Sequence, residues 1–208
     1  LINGGVEFLV SMGTTGESVV LTNDEKQKIV THTKNKINGR VPFVVGLGGN
    51  NTSKVVAQIK STDFSGIDAI LSVSPAYNKP TQQGIYEHFK AISEACPTNI
   101  ILYNVPGRTG SNMSVNTTLS LANNFDNIIA IKEASGDIVQ IMQILRDKPD
   151  NFKVLSGDDA LTLPMIFIGA EGVISVQAMA QPKEFSEMVR HGLVGNIEKA
   201  RALHYPQL

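Results

Sequence analysis

This chain has a single cysteine, Cys96, among its 208 residues, so no internal disulfide can hold it together. A reducing compartment, the cytoplasm, is the expectation that follows. Runs of one charge are missing as well. Lys and Arg total 18 against 19 for Asp and Glu, a formal net charge of -1, and no basic stripe is present to grip nucleic acid or an anionic membrane surface. Long apolar runs are absent: the longest uncharged one, LTLPMIFIGA from Leu161 to Ala170, is broken by Pro164 and is far shorter than the roughly 20 residues of a spanning helix. The four histidines, His32, His88, His191 and His204, lack metal-ligand spacing, and there is no G-x-S-x-G elbow. No metal site and no nucleophilic triad is expected. The first residues, LINGGVEFLV, carry neither an initiator Met nor a signal-peptide pattern. LINGG reads as a helix tail closing on Gly4 and Gly5, and further residues are expected upstream, with the C-terminal end also expected to be incomplete.

What is present is a beat of strand and helix. Short apolar runs start at Phe8, Phe43, Ile70, Ile100, Ile128, Lys153 and Gly172, which makes seven candidate strands. Helical patterns lie between most of them. The clearest is TNDEKQKIVTHTKNKING, with Thr22 and Glu25 as a capping box and Gly39 as the stop. Others run over Thr81–Ala95 and Gln181–His191. Val- and Ile-rich strands alternating with helices imply a parallel sheet covered by helices. A 42% apolar composition over this length supports one domain spanning 1–208.

An open doubly wound sheet and a closed eight-stranded barrel share this beat. No G-x-G-x-x-G follows a strand; GLGGNN, Gly46–Asn51, has its glycines in the wrong register. Thr15, Tyr103, Lys132 and Asp158 fall at the C-terminal ends of four different strands, as barrel enzymes place their reactive groups. The expected fold is a (β/α)8 barrel of the α/β class, with its first strand and most of its first helix outside this sequence.

In IIAIKEASG, Ile128–Gly136, an ammonium group interrupts an apolar strand. Alternation predicts Ile129 and Ile131 against the outer helices, with Ala130 and Lys132 facing the barrel interior. Desolvation there disfavours the ammonium, and the free amine can attack a ketone to form a Schiff base. The competing reading pairs Lys132 with Glu133 or Asp158. Tyr103, at the end of the preceding strand, is a phenol placed to shuttle protons, or else a core tyrosine with a satisfied hydroxyl. SMGTTGES, Ser11–Ser18, is a glycine-flanked turn whose Thr14 and Thr15 amides can converge on a carboxylate, although phosphate or nothing also fits that pattern.

The segments GTTGES, SPAYNKP, YNVPGRTG, IKEASG, SGDDA and GAEGVISV, in this order and spread over nearly the whole chain, resemble the pyruvate-dependent class I aldolases, most closely the dihydrodipicolinate synthase family. The resemblance implies a lyase that joins pyruvate to aspartate 4-semialdehyde through a covalent lysine imine, with no separate cofactor. It implies Lys132 as the imine-forming lysine, Tyr103 as the relay tyrosine, Thr15 as the relay threonine, and Tyr77 as a second tyrosine received by a neighbouring subunit of a homo-oligomer, a dimer or tetramer. Thr14 and Thr15 would hold the pyruvate carboxylate, Gly157 and Ile174 would line the pocket, and Arg108 would receive the carboxylate of the aldehyde. Arg108 also separates this branch from the sialic-acid lyases, which resemble the chain at the lysine and tyrosine. That branch, and a binding module that has kept the pocket, are the alternatives.

Members of the resembled family commonly bind lysine at an interface site. The matching positions here read Asn23, Lys26, Lys54 and Ala76, with Ser18 and Asn50 keeping polar types. Two positive charges stand where a cation would bind, so inhibition by lysine is expected to be weak or absent. Half-inhibition at submillimolar lysine would be the contrary result.

Overall fold

The computed structural model describes all 208 residues. The seven strands are β1 (Leu9–Ser11), β2 (Phe43–Gly46), β3 (Ala69–Val73), β4 (Asn99–Asn104), β5 (Ile128–Glu133), β6 (Lys153–Ser156) and β7 (Gly172–Val173). All pair in parallel and in chain order. A doubly wound sheet reverses its strand order at a switch point, and no reversal occurs here. The two edge strands instead face a common apolar cleft of about 410 Å³, lined by Leu9 and Val10 of β1 and by Val173 of β7. The sheet is therefore curled. Outside that seam, the Arg190 guanidinium donates to the Gly5 carbonyl and to the Glu7 carboxylate, both at 2.7 Å.

Nine helices follow the strands: α1 (Asn23–Ile37), α2 (Thr52–Ser61), α3 (Gln82–Ala95), α4 (Pro106–Thr109), α5 (Val115–Asn124), α6 (Ile138–Asp147), α7 (Thr162–Phe167), α8 (Pro182–Leu193) and α9 (Ile197–His204). None is long and apolar enough to cross a membrane. The α1 capping box forms as read: the Thr22 amide donates to Glu25 Oε2 at 2.8 Å and the Glu25 amide to Thr22 Oγ1 at 3.3 Å. Its stop differs. Asn38, not Gly39, takes the left-handed cap conformation (φ 49°, ψ 47°) and donates to the Lys34 carbonyl. Asparagine tolerates that region, so the helix ends one residue early. LINGG holds a short 3-10 turn over Ile2–Gly4 closed by left-handed Gly5.

Outward side chains such as Ile70, Ile100, Leu102 and Ile131 pack with Ile85, Phe89 and Ile92 of α3. Inward ones, Val44, Ala69, Leu71, Ile101, Tyr103, Ala130 and Leu155, form a second cluster inside the curl. Simple alternation fails at one point in β5. Ile100 pairs with Ile128 but Ile101 pairs with Ala130, so Ile129 is an extra, bulged residue. Ile128 turns to the helices, whereas Ile129 packs against the inner cluster, opposite to the expectation. From Ala130 onward the alternation resumes, and Lys132 faces inward as read.

Candidate active site

The parallel register of β4 and β5 sets Tyr103 directly beside Lys132. The amine Nζ lies 4.5 Å from the centre of the Tyr103 ring. Lys132 is only 8% exposed, and none of the chain's ion pairs uses it. Burial is the main force on this group and lowers its pKa to about 8; the nearby Asp159 carboxylate opposes that fall and the Arg108 guanidinium adds to it. Neither suggested salt-bridge partner takes the lysine. Glu133 is turned to the helix side, where Asn104, Ser135 and Gln140 donate to it. Asp158 Oδ1 instead accepts the Leu161 amide at 3.1 Å.

The carboxylate that acts on Lys132 is Asp159, which the sequence reading did not single out. Its Oδ2 accepts the amides of Val176 and Gln177 at 3.1 and 2.9 Å, and its buried Oδ1 has no partner. The only available signal was the doubled Asp in SGDDA, and alternation cannot choose between neighbours once a strand has ended.

Gly157 has a steric reason to be glycine. A Cβ there would stand 2.7 Å from Ala134 Cβ and 3.1 Å from both Cγ and Cε of Lys132. The bare backbone leaves room for the lysine stem. Ile174, 8% exposed, belongs to the same inner cluster as Tyr103 and Leu155, and its amide donates to the Ser156 carbonyl at 2.9 Å.

Beside this pair opens a cleft of about 420 Å³ lined by Thr14, Val73, Tyr103, Val105, Arg108 and Thr109 among others, with no acidic residue in its wall. Arg108 projects from the single turn of α4 and its guanidinium makes no hydrogen bond or ion pair, so its charge is open to an anion. Burial pushes the Tyr103 phenol up in pKa, while the Thr14 hydroxyl and then Arg108 pull it back. Of the two threonines of this turn, Thr14 lines the cleft and acts on Tyr103, whereas Thr15 is not in the cleft wall. The two residues open a 3-10 turn, Thr14–Gly16, and the first amides of such a turn find no acceptor within it.

Tyr77 is not brought into this cleft. It is 89% exposed, sits at φ 75°, and its amide donates to the Thr109 carbonyl at 3.0 Å, which ties its turn to the one bearing Arg108. At the outer end of the cleft stand Ser18, Lys26, Asn50 and Ala76, and Asn50 Nδ2 donates to the Ala76 carbonyl at 3.2 Å. Of the two cations expected to repel lysine, Lys26 lines the cleft; Lys54 and Asn23 do not.

Comparison with known proteins gives one consistent result. A profile of the dihydrodipicolinate synthetase family matches residues 1–207. A 4-hydroxy-tetrahydrodipicolinate synthase of Flavobacterium psychrophilum is 57% identical over 205 residues, covering 99% of this chain and 70% of that protein. The crystal structure of dihydrodipicolinate synthase from Aquifex aeolicus superposes with a TM-score of 0.94 at 41% identity, over 98% of this chain and 70% of that one. A synthase from Cyanidioschyzon merolae, crystallised with lysine bound, gives 0.93 at 40% identity, over 97% and 69%.

Proposed function

This chain belongs to the dihydrodipicolinate synthetase family, and from that membership we propose that it is a 4-hydroxy-tetrahydrodipicolinate synthase, a lyase condensing pyruvate with aspartate 4-semialdehyde in the diaminopimelate route to lysine. The observation that carries this reading is the buried Lys132 amine, free of any ion pair and held against the ring of Tyr103, which itself lines an acid-free cleft. Lys132 attacks the pyruvate ketone carbon, and the carbinolamine loses water as the Tyr103 phenol lends its own proton to the departing group. The protonated imine then draws electrons from the methyl carbon, which gives up a proton to the Tyr103 oxygen and leaves an enamine. The enamine carbon then attacks the aldehyde. Cyclisation of the substrate's own amine onto the imine carbon frees Lys132. Tyr103 carries protons in these steps, with Thr14 beside it, and the Thr14 and Thr15 amides hold the pyruvate carboxylate.

The test is borohydride trapping with pyruvate, read by intact mass and peptide mapping. One reduced adduct on Lys132 supports the reading; a well-folded protein that takes no adduct, or takes it elsewhere, overturns it.

Arg108 is proposed to receive the carboxylate of the semialdehyde, because a guanidinium can grip it with two hydrogen bonds and no protein acid competes for the charge. Arg108→Ala should lose about ten- to a hundredfold in kcat/KM for the semialdehyde while trapping of pyruvate changes little. Equal losses in both would make Arg108 a fold residue, and wild-type turnover of N-acetylneuraminate would move the assignment to the sialic-acid lyase branch.

Tyr77 is proposed to act in the cleft of a neighbouring copy, since it is exposed on a turn and lies outside its own cleft wall. Mixed oligomers of inactive Tyr77→Phe and inactive Lys132→Ala subunits should recover activity. Verified mixtures that stay inactive would exclude donation across an interface.

The seam between β1 and β7 is proposed to take one further strand, completing an eight-stranded barrel. An apolar cleft flanked by two parallel edges with unpaired backbone groups suits such a strand. In the full-length protein the edge amides of β1 and β7 should then resist hydrogen exchange as those of β2 do; rapid exchange along either edge would argue against closure.

A further inference from the structure

Behind the strand that bears Lys132 lies a buried polar cluster that the catalytic steps do not use. Glu133 has no exposed surface. It accepts from Asn104 Nδ2 at 3.1 Å to each oxygen, from Gln140 Nε2 at 3.2 Å and from the Ser135 amide at 2.7 Å. Asn104, also fully buried, donates to Asn112 Oδ1 at 2.8 Å, and its own oxygen accepts the Met113 amide at 3.0 Å. Gln140 closes the ring by accepting from Asn112 Nδ2 at 2.7 Å.

The chain between these anchors is the turn that carries Arg108. Asn104 is where that turn leaves β4, and Asn112 and Met113 are where it rejoins the body of the protein. Within the turn Thr109 Oγ1 donates to the Val105 and Ser111 carbonyls, while from outside it the Tyr77 amide donates to the Thr109 carbonyl at 3.0 Å and Gln82 Nε2 to the Asn112 carbonyl at 2.8 Å. Both of its ends belong to the amide ring that closes on one carboxylate of β5, Asn104 directly and Asn112 through Asn104 and Gln140.

We infer that Glu133 is a positioning residue: it clamps both ends of the Arg108 turn to the strand bearing Lys132, and so sets the distance between the cation that receives the second substrate and the amine that holds the first. This inference rests on the assignment of Arg108 made above. A carboxylate suits the role because it is acceptor-only, and every group around it is a donor. Glutamine at this position would turn an amide donor toward the donors of Asn104 and Gln140 and force the ring open.

The experiment compares Glu133→Gln, Asn112→Ala and the double variant in the intact protein. Two readings are taken: KM for aspartate semialdehyde, and the fraction of pyruvate trapped by borohydride. Glu133→Gln should raise that KM about tenfold, the scale of one lost charge-assisted hydrogen bond, with trapping within about twofold of wild type. Asn112→Ala, at an exposed site that leaves the carboxylate's own donors in place, should raise KM in the same direction, and the double variant should be no worse than Glu133→Gln alone. An unchanged KM in both single variants, or parallel losses of KM and trapping, overturns the inference. If Glu133→Gln does not fold, Asn112→Ala decides: raised KM with normal trapping supports the clamp, and normal KM refutes it. Absence of any pyruvate adduct on the wild type is a different outcome and counts against the Schiff-base assignment itself.

Discussion

Lys132→Ala should abolish the borohydride-trapped adduct and lower kcat on the order of 10⁵-fold or more, the scale on which covalent catalysts lose rate when the nucleophile is removed. The fold should survive. The amine makes no ion pair, and Asp159, the carboxylate that acts on it, keeps the Val176 and Gln177 amides, so Lys132→Met, which keeps the volume of the stem, should melt close to wild type. A large drop in melting temperature for Lys132→Met would show that the charge was structural. The pH dependence has a definite sign. Burial lowers the lysine pKa to about 8, so the reactive free amine is the minor form at pH 7 and the major form above pH 8. At pH 7 about a tenth of the groups are unprotonated, against about 0.03% for a lysine at 10.5. The rate of adduct formation should therefore rise about tenfold per unit below pH 7, about fivefold between pH 7 and 8, and level off beyond pH 9; a rise that continues unbroken to pH 10 would contradict the lowered value.

Tyr103→Phe should slow imine formation by about 10²- to 10⁴-fold, the usual worth of a placed proton donor and acceptor. The aromatic ring stays, and with it the hydrophobic cover over Lys132, so the lysine should titrate nearly as before. Trapping would be slow but reach the wild-type end point. A normal rate would reduce Tyr103 to a packing residue, while a lost end point would mean that the phenol is needed to hold the amine in place. Burial raises the phenol pKa, so the group is protonated at neutral pH and ready to give its proton first.

These outcomes separate what was written in the order of residues from what was not. Strands and caps were legible because they rest on local physics: Val- and Ile-rich runs pair, and a Thr–Glu capping box closes within one turn. The neighbourhood of Tyr103 and Lys132 was legible too, since consecutive strands of a parallel sheet lie side by side and both residues end their strands. The bulge at Ile129 was not, because the alternation rule assumes an unbroken ladder and nothing in IIAIKE marks the slip. The choice of Thr14 over Thr15, and of Asp159 over Asp158, belongs to backbone angles in turns, where adjacent side chains diverge and long-range packing selects one. The ring of Asn104, Asn112, Glu133 and Gln140 joins residues up to 36 positions apart. By itself the sequence determined the elements, their order and a lysine on the inner face of a strand, all of them consequences of short-range periodicity. Only the folded chain decided how that lysine is buried, which carboxylate acts on it, which threonine reaches Tyr103, and what holds the ends of the Arg108 turn, because desolvation and hydrogen-bond closure depend on groups that meet only after the sheet has curled.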